Sequence, residues 1–244
     1  MCTLEKRDNL YILTLTGTHD HRLNPSLIDS IQSALRQIRS SPASALITTA
    51  QGNYFSNGYD LDWARSAPSP DAVLSRYRLM SSKLRSLAAD LISLPMPTIA
   101  AVNGHASAGG FLLALCHDYL FMRRERGFLY MSELDIGLVV PEWFDALLRC
   151  KVPPRVRREV VLRAAKLTAE MAVERGIAEK ACDGAEGTLE AAVALGRELA
   201  KRKWDGHVYA KNRRSTMHDV LDSLVCDETV GEVKPNNAIV KPKL

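Results

Sequence analysis

Two short glycine-bearing segments constrain this chain more than anything else in it: Phe55-Ser56-Asn57-Gly58-Tyr59-Asp60-Leu61 and Gly104-His105-Ala106-Ser107-Ala108-Gly109-Gly110. Each follows an apolar, strand-like run, Ser44 to Thr49 and Thr98 to Val102, and each leads towards an expected helix. Glycine lets the main chain come close to a ligand. Amides at the start of a helix can point at an oxygen carrying negative charge. Two such loops can hold one oxygen from two sides, which is how enzymes stabilise an oxyanion. A phosphate-binding P-loop fits poorly, because no Gly-Lys-Ser/Thr follows.

The surrounding pattern alternates strand and helix. Tyr11 to Thr16 reads as a strand, rich in β-branched and aromatic residues. Asn24-Pro25 reads as a cap followed by proline at the first helical position, with Leu27, Ile28, Ile31, Leu35 and Ile38 on one face. Ala45 to Thr49 is a strand. Ser69-Pro70-Asp71 opens a second helix, which Pro95 and Pro97 end before the buried strand Thr98 to Val102. Phe111 to Cys116 is apolar on every side and predicts a core helix. Asp118 to Met122 and Phe128 to Met131 are expected strands, and after Pro141 the pattern turns helical almost to the end. The order implies an α/β core over residues 1–190 and a C-terminal helical region with a polar tail over 191–244.

Composition narrows the class. A chain of 244 residues, 46% apolar, can bury a substantial core. Net charge is only +4. The clusters Arg155-Val156-Arg157-Arg158 and Lys211-Asn212-Arg213-Arg214 lack interleaved aromatics, so they read as solvated helix faces, with no nucleic-acid partner. Cys2, Cys116, Cys150, Cys182 and Cys226 are odd in number and scattered, which fits a reducing compartment and argues against a disulfide framework or zinc site. The start lacks a signal-peptide pattern, and the best apolar run, Phe111 to Cys116, is far short of the ~20 residues that span a bilayer. A soluble protein is expected. None of the six histidines has catalytic spacing: His19 and His21 flank Asp20 in a loop, and His105 reads as packing. No metal-ligating cluster emerges.

The wording of the two loops carries further information. Phe55-x-x-Gly58-x-Asp60-Leu61, followed by Pro97-Thr98-Ile99-Ala100-Ala101-Val102-Asn103-Gly104-His105-Ala106 and Gly109-Gly110, resembles the crotonase (enoyl-CoA hydratase/isomerase) superfamily over about Asn9 to Lys166. The resemblance implies a spiral of ββα turns that assembles into homotrimers or hexamers through C-terminal helices. It also implies that the main-chain amides of Tyr59 and Gly109 form an oxyanion hole for the thioester oxygen of a fatty acyl-CoA. Gly110 is assigned to close packing instead. Asp60, Leu61 and Asp62 are expected to line the pocket near the pantetheine arm, though Asp60 reads equally well as a helix cap. Tyr54, Phe55 and Trp63 are expected in the wall and core.

The segment Met131 to Trp143 resembles the stretch where the superfamily keeps catalytic carboxylates. Glu133, four residues before Gly137, matches the position that isomerases and hydratases use, Glu142 is a second candidate, and Asp135 ranks last. A carboxylate among apolar neighbours becomes more basic, which suits it to proton transfer. Hydratases carry a second glutamate three residues after the second oxyanion glycine, where this chain has Leu112, expected to line the substrate site. Adding water calls for two carboxylates, whereas moving a double bond calls for one. The expected activity is therefore a Δ3,Δ2-enoyl-CoA isomerase of fatty-acid β-oxidation, with an enoyl-CoA hydratase or a silent acyl-CoA-binding protein as alternatives. No metal or redox cofactor is expected, and CoA arrives as part of the substrate. The terminal Pro242-Lys243-Leu244 resembles a Ser-Lys-Leu address, so peroxisomal import through its receptor is expected.

Overall fold

The computed structural model describes residues 1–41 and 45–225. Its larger sheet has six strands in the order β1 (Cys2–Arg7), β2 (Leu10–Leu15), β3 (Ala45–Ala50), β5 (Thr98–Val102), β7 (Tyr119–Arg123) and β9 (Lys180–Cys182). β1 is antiparallel to β2 and every later neighbour is parallel. A smaller parallel sheet is made from β4 (Tyr54–Ser56), β6 (His105–Ser107) and β8 (Leu129–Tyr130). The chain gives one strand to each sheet and then turns helical. β3 and β4 precede α2 (Leu61–Arg65) and α3 (Pro70–Ile92), β5 and β6 precede α4 (Gly109–Leu115), and β7 and β8 precede a 3₁₀ turn at Leu134–Ile136 and α5 (Glu142–Lys151). This is the expected ββα spiral.

Local chemistry sets the helices. α1 (Pro25–Ile38) starts where the Asn24 side chain accepts the Leu27 amide at 3.0 Å and proline supplies the first-turn φ. Its buried face is Leu27, Ile28, Ile31, Leu35 and Ile38, and it packs on α3, which Ser69 caps through the Ala72 amide. α4 is buried along its whole length, with Phe111 and Leu112 completely enclosed. Among the described residues no helix is long and apolar enough to cross a membrane.

The helices that follow are α6 (Pro154–Leu162), α7 (Ala169–Glu174), α8 (Gly184–Lys201), α9 (Gly206–Thr216) and α10 (His218–Ser223). α8 lies on the larger sheet, where Ala192, Val193 and Leu199 form a second core with Leu10, Ile47, Ile99 and Phe121. The 190/191 division falls inside this helix.

One sequence reading is corrected here. The sequence of Lys211 to Arg214 predicts a solvated face, but Arg213 is buried in α9. Its Nε donates to Asp118 Oδ1 at 2.7 Å and its Nη2 to Asp118 Oδ2 at 2.5 Å; further donors reach the carbonyls of Leu91, Leu94 and Met96. Asp118 Oδ2 also accepts the Thr98 amide at 2.8 Å. Leu91 ends α3 and Leu94 and Met96 follow it on the way to β5, so a single guanidinium fastens α9 to the core. The strand β9 likewise interrupts the stretch read as helical after Pro141.

Candidate active site

All three functional segments leave the carboxyl ends of the small parallel sheet, the edge where parallel α/β sheets bind ligands. β4 runs into Gly58-Tyr59, β6 into Ala108-Gly109, and β8 into Ser132-Glu133. Pairing fixes their spacing: Tyr54 lies opposite His105, Ser107 opposite Tyr130, and the Ala108 amide donates to the Tyr130 carbonyl at 2.7 Å. Glu133 and Gly109 therefore sit within a few residues of one shared hydrogen bond.

The two glycine loops touch. Gly58 has φ +73°, and a Cβ built on it would lie 2.9 Å from the Ser107 carbonyl oxygen and 3.2 Å from the Gly109 nitrogen. Only glycine allows both that backbone and that approach. The Gly58 carbonyl accepts the Leu23 amide and the Asp60 amide faces the Leu23 carbonyl, so the intervening Tyr59 N–H is directed away from Leu23. Gly109 is the first residue of α4, where an amide has no intrahelical acceptor. Among the described residues neither amide donates to a protein acceptor. Before Gly109, Ala108 is held at φ 48°, ψ −122°, a costly backbone for a residue with a Cβ, and such strain gathers at functional loops. At Gly110 a Cβ would come within 2.1 Å of the Ser56 carbonyl oxygen, so this glycine serves close packing.

Gly58→Ala is expected to lower kcat/KM by roughly 10²-fold by tilting one donor of the pair, the effect of losing an oxyanion contact. Steady-state kinetics on a folded variant checks this; wild-type turnover would show that the loops need not touch.

Glu133 is 5% exposed, and its Oε2 has no hydrogen-bond partner among the described residues. Burial pushes its carboxyl up from an ordinary 4.5 to about 7, only partly opposed by its own backbone amide. The Tyr59 phenol is also buried, which raises it well above its usual value; Ser81, Arg85 and Glu133 all act on it. The Glu133 charge is thus felt at the residue that carries one of the two amides. Phe144 stacks on Tyr59 at 6.4 Å and meets Trp143 edge-on at 4.4 Å, which closes this side with aromatic carbon. Glu142 stands exposed in the first turn of α5. Asp135 is exposed and bonds the Tyr130 hydroxyl.

The other expected site residues are placed as follows. Asp60 caps α2, its Oδ1 accepting the Trp63 amide at 3.0 Å and its Oδ2 the Asn24 side chain at 3.1 Å. Leu61 begins α2 half-buried, and Asp62 pairs with Arg22 at 3.0 Å with its side chain largely in solvent. Leu112 has no exposed surface. His105 is held between Tyr54 and Phe128 at 5.0 and 5.3 Å, so it packs as expected. His117 is buried with Nδ1 on the Leu113 carbonyl and Nε2 on Thr48 Oγ1, and desolvation holds it down to about 4. Sequence reasoning did not single out Ser81 and Arg85, which α3 brings to Tyr59; their four-residue spacing on one helix face was the available signal.

A spiral of paired strands ending in two glycine loops and a buried acid defines a crotonase-type fold. The chain belongs to the enoyl-CoA hydratase/isomerase family, whose model matches residues 5–225. It is 55% identical to "Enoyl-CoA delta isomerase 1, peroxisomal" of Arabidopsis thaliana, over 99% of this chain and 98% of that protein. It is 51% identical to "Enoyl-CoA delta isomerase 2, peroxisomal" of the same plant, over 88% of this chain and 91% of that protein. Among solved structures, a probable enoyl-CoA hydratase from Mycobacterium tuberculosis shares the fold at TM-score 0.83 and 21% identity, covering 92% of this chain and 91% of that one. An enoyl-CoA hydratase/isomerase family protein from Pseudomonas syringae aligns at TM-score 0.81 and 26% identity, over 92% and 93%.

Proposed function

We propose that this protein is a Δ3,Δ2-enoyl-CoA isomerase, acting on 3-enoyl-CoA in the β-oxidation of unsaturated fatty acids. Its site works with a single shuttling carboxylate. The observation that carries this reading is Glu133, a buried carboxyl group with an unpartnered oxygen beside the loop whose amide faces the cradle. Glu133 takes a proton from C2, the electron pair moves into the thioester, and the resulting dienolate oxygen is held by the Tyr59 and Gly109 amides. The carboxyl then returns the proton to C4, leaving a trans-2-enoyl-CoA. Atoms and electrons balance without an oxidant, a reductant or added water. Each well-aimed amide contributes roughly 3 kcal/mol to such a transition state.

Glu133 is preferred to Glu142 because only Glu133 is buried, which lifts its basicity to the working range. Isomerisation is preferred to hydration because the place of a hydratase's second glutamate is filled by the wholly enclosed Leu112. The same reading assigns Asp60 to shaping the loop through its cap, with Leu61 and Asp62 along the pantetheine path. It takes CoA as part of the substrate and assembles the chain into trimers or hexamers through its C-terminal helices. Location in peroxisomes agrees with the names of the two Arabidopsis relatives. Pro242, Lys243 and Leu244, offered as the import signal, lie outside the described residues.

The test is ultraviolet detection of conjugated product from 3-hexenoyl-CoA, run across pH beside water addition to crotonyl-CoA. The base must be ionised, so kcat/KM is expected to rise with pH and level off above an inflection near 7, the value to which burial pushes Glu133. Hydration is expected to be slow in comparison. A flat profile, or crotonyl-CoA hydrated as fast as 3-hexenoyl-CoA is isomerised, sinks the proposal.

A further inference from the structure

One face of α3 backs both glycine loops. Ser81, Leu84 and Arg85 stand three and four residues apart on that helix, so they point the same way. Leu84 is buried against the second loop: a Cβ built on Gly109 would lie 3.2 Å from Leu84 Cδ2 and 3.5 Å from Leu23 Cδ1. Leu23 in turn donates its amide to the Gly58 carbonyl at 2.7 Å. Two leucines therefore hold the loops together from behind.

The polar members of the same face meet the first loop. The Tyr59 ring stacks on Phe144 of α5 and ends in a hydroxyl group closed off from solvent. Ser81 and Arg85, both buried, act on that hydroxyl from α3. Yet Tyr59 Oη and Ser81 Oγ each lack a hydrogen-bond partner among the described residues. Two hydroxyl groups that face each other out of water and stay unbonded forgo a contact that buried polar groups almost always make. Hydrogen bonds of catalytic sites are often open without ligand and tighten once it is bound. The positive charge of Arg85 favours a phenol that donates, and Ser81 is the acceptor beside it.

We propose that Ser81 is a positioning residue for the oxyanion hole: its hydroxyl accepts from Tyr59 Oη when a thioester is bound, holds that side chain by its far end, and so fixes the direction of the Tyr59 N–H. This rests on the reading of the Tyr59 and Gly109 amides as the cradle, and is independent of which carboxyl group moves the proton. The test uses dimethylaminocinnamoyl-CoA, a conjugated thioester that absorbs further to the red when its carbonyl is polarised, so the cradle is read without turnover. Wild-type protein is expected to shift the band. Ser81→Ala, and Tyr59→Phe, which keeps the main-chain amide, are each expected to reduce the shift. Each is also expected to lower kcat for 3-hexenoyl-CoA about tenfold with KM little changed, the loss of one hydrogen bond made only in the transition state. The double variant is expected to lose no more than either single one, because both changes remove the same contact. Tyr59→Phe keeps the test decisive if Ser81→Ala fails to fold. A wild-type shift that Ser81→Ala or Tyr59→Phe leaves whole overturns the proposal while the cradle stands, and so do losses that add in the double variant. No shift in wild-type protein removes the cradle, and the proposal with it. A protein that shifts the band but fails to isomerise 3-hexenoyl-CoA sinks the isomerase reading alone.

Discussion

Glu133→Gln is expected to lower turnover of 3-hexenoyl-CoA by roughly 10²–10⁴-fold, the contribution of a positioned acid–base group, and at the same time to make the protein more stable in mild alkali. The sign of the second effect follows from burial. The folded carboxyl group titrates near 7, against an ordinary 4.5, so the folded state holds its proton more tightly than the unfolded chain does. The stability this confers is fully present below about 4.5 and is lost as pH rises through 7. At pH 8 the native protein carries a buried, unpartnered carboxylate, a displacement corresponding to at most roughly 3 kcal/mol. An uncharged amide removes that cost. Urea unfolding of both proteins at pH 8 and at pH 4.5 checks it: the variant should lead at the higher pH and lose its lead at the lower. A variant destabilised at pH 8 would mean that the Glu133 carboxylate is satisfied in the fold.

Arg213→Met should give the largest loss of stability, about 3–5 kcal/mol, because it leaves Asp118 as an uncompensated charge in a closed site. The side chains are only 4% and 14% exposed, so solvent does little to screen the pair. Three carbonyls at the end of α3 and just beyond it lose their donor as well. For a domain of this size each kcal/mol moves the melting temperature by about 2–4 °C, so a fall on the order of 10 °C is expected. Asp118→Leu combined with Arg213→Met should lose less than the two single changes added together, since neither charge is then stranded. Calorimetry of the three variants decides this, and a shift of a degree or two for Arg213→Met would show that α9 is held by its apolar contacts instead.

Which parts of this fold could be read from the chain depends on length and on side-chain periodicity. α1 and α3 were legible because their start signals and apolar faces run for two turns or more, with Asn24 acting as the cap expected, and α4 because its short run is apolar on every side. The buried strands β2, β3, β5 and β7 were legible as short apolar runs between breakers. Of the small sheet only β8 was legible, within Phe128 to Met131; β4 and β6 are three residues long, too few for any alternation to register. Yet that sheet brings the three functional loops together. β1 was missed because its face is half-open and polar at the edge of the sheet, and β9 because three residues between helices carry little pattern.

The loops themselves were legible by their wording. What wording could not supply was the environment of each carboxyl group. Glu133 and Glu142 are equivalent as letters, and only folding encloses one while leaving the other in water. Arg213 failed for the opposite reason: a Lys/Arg cluster signals solvent on average, and a single buried member of it has no signature of its own.

The central claim is that one sheltered carboxyl group carries the same proton from C2 to C4. It is tested most directly by turning over 3-hexenoyl-CoA dideuterated at C2 in ordinary water and locating deuterium in the product by mass spectrometry and NMR. A carboxyl group as enclosed as Glu133 should deliver a readily measured share of the label to C4, and Glu133→Gln should remove both label transfer and turnover. Product whose C4 proton comes wholly from water, formed at an undiminished rate by Glu133→Gln, would contradict the account.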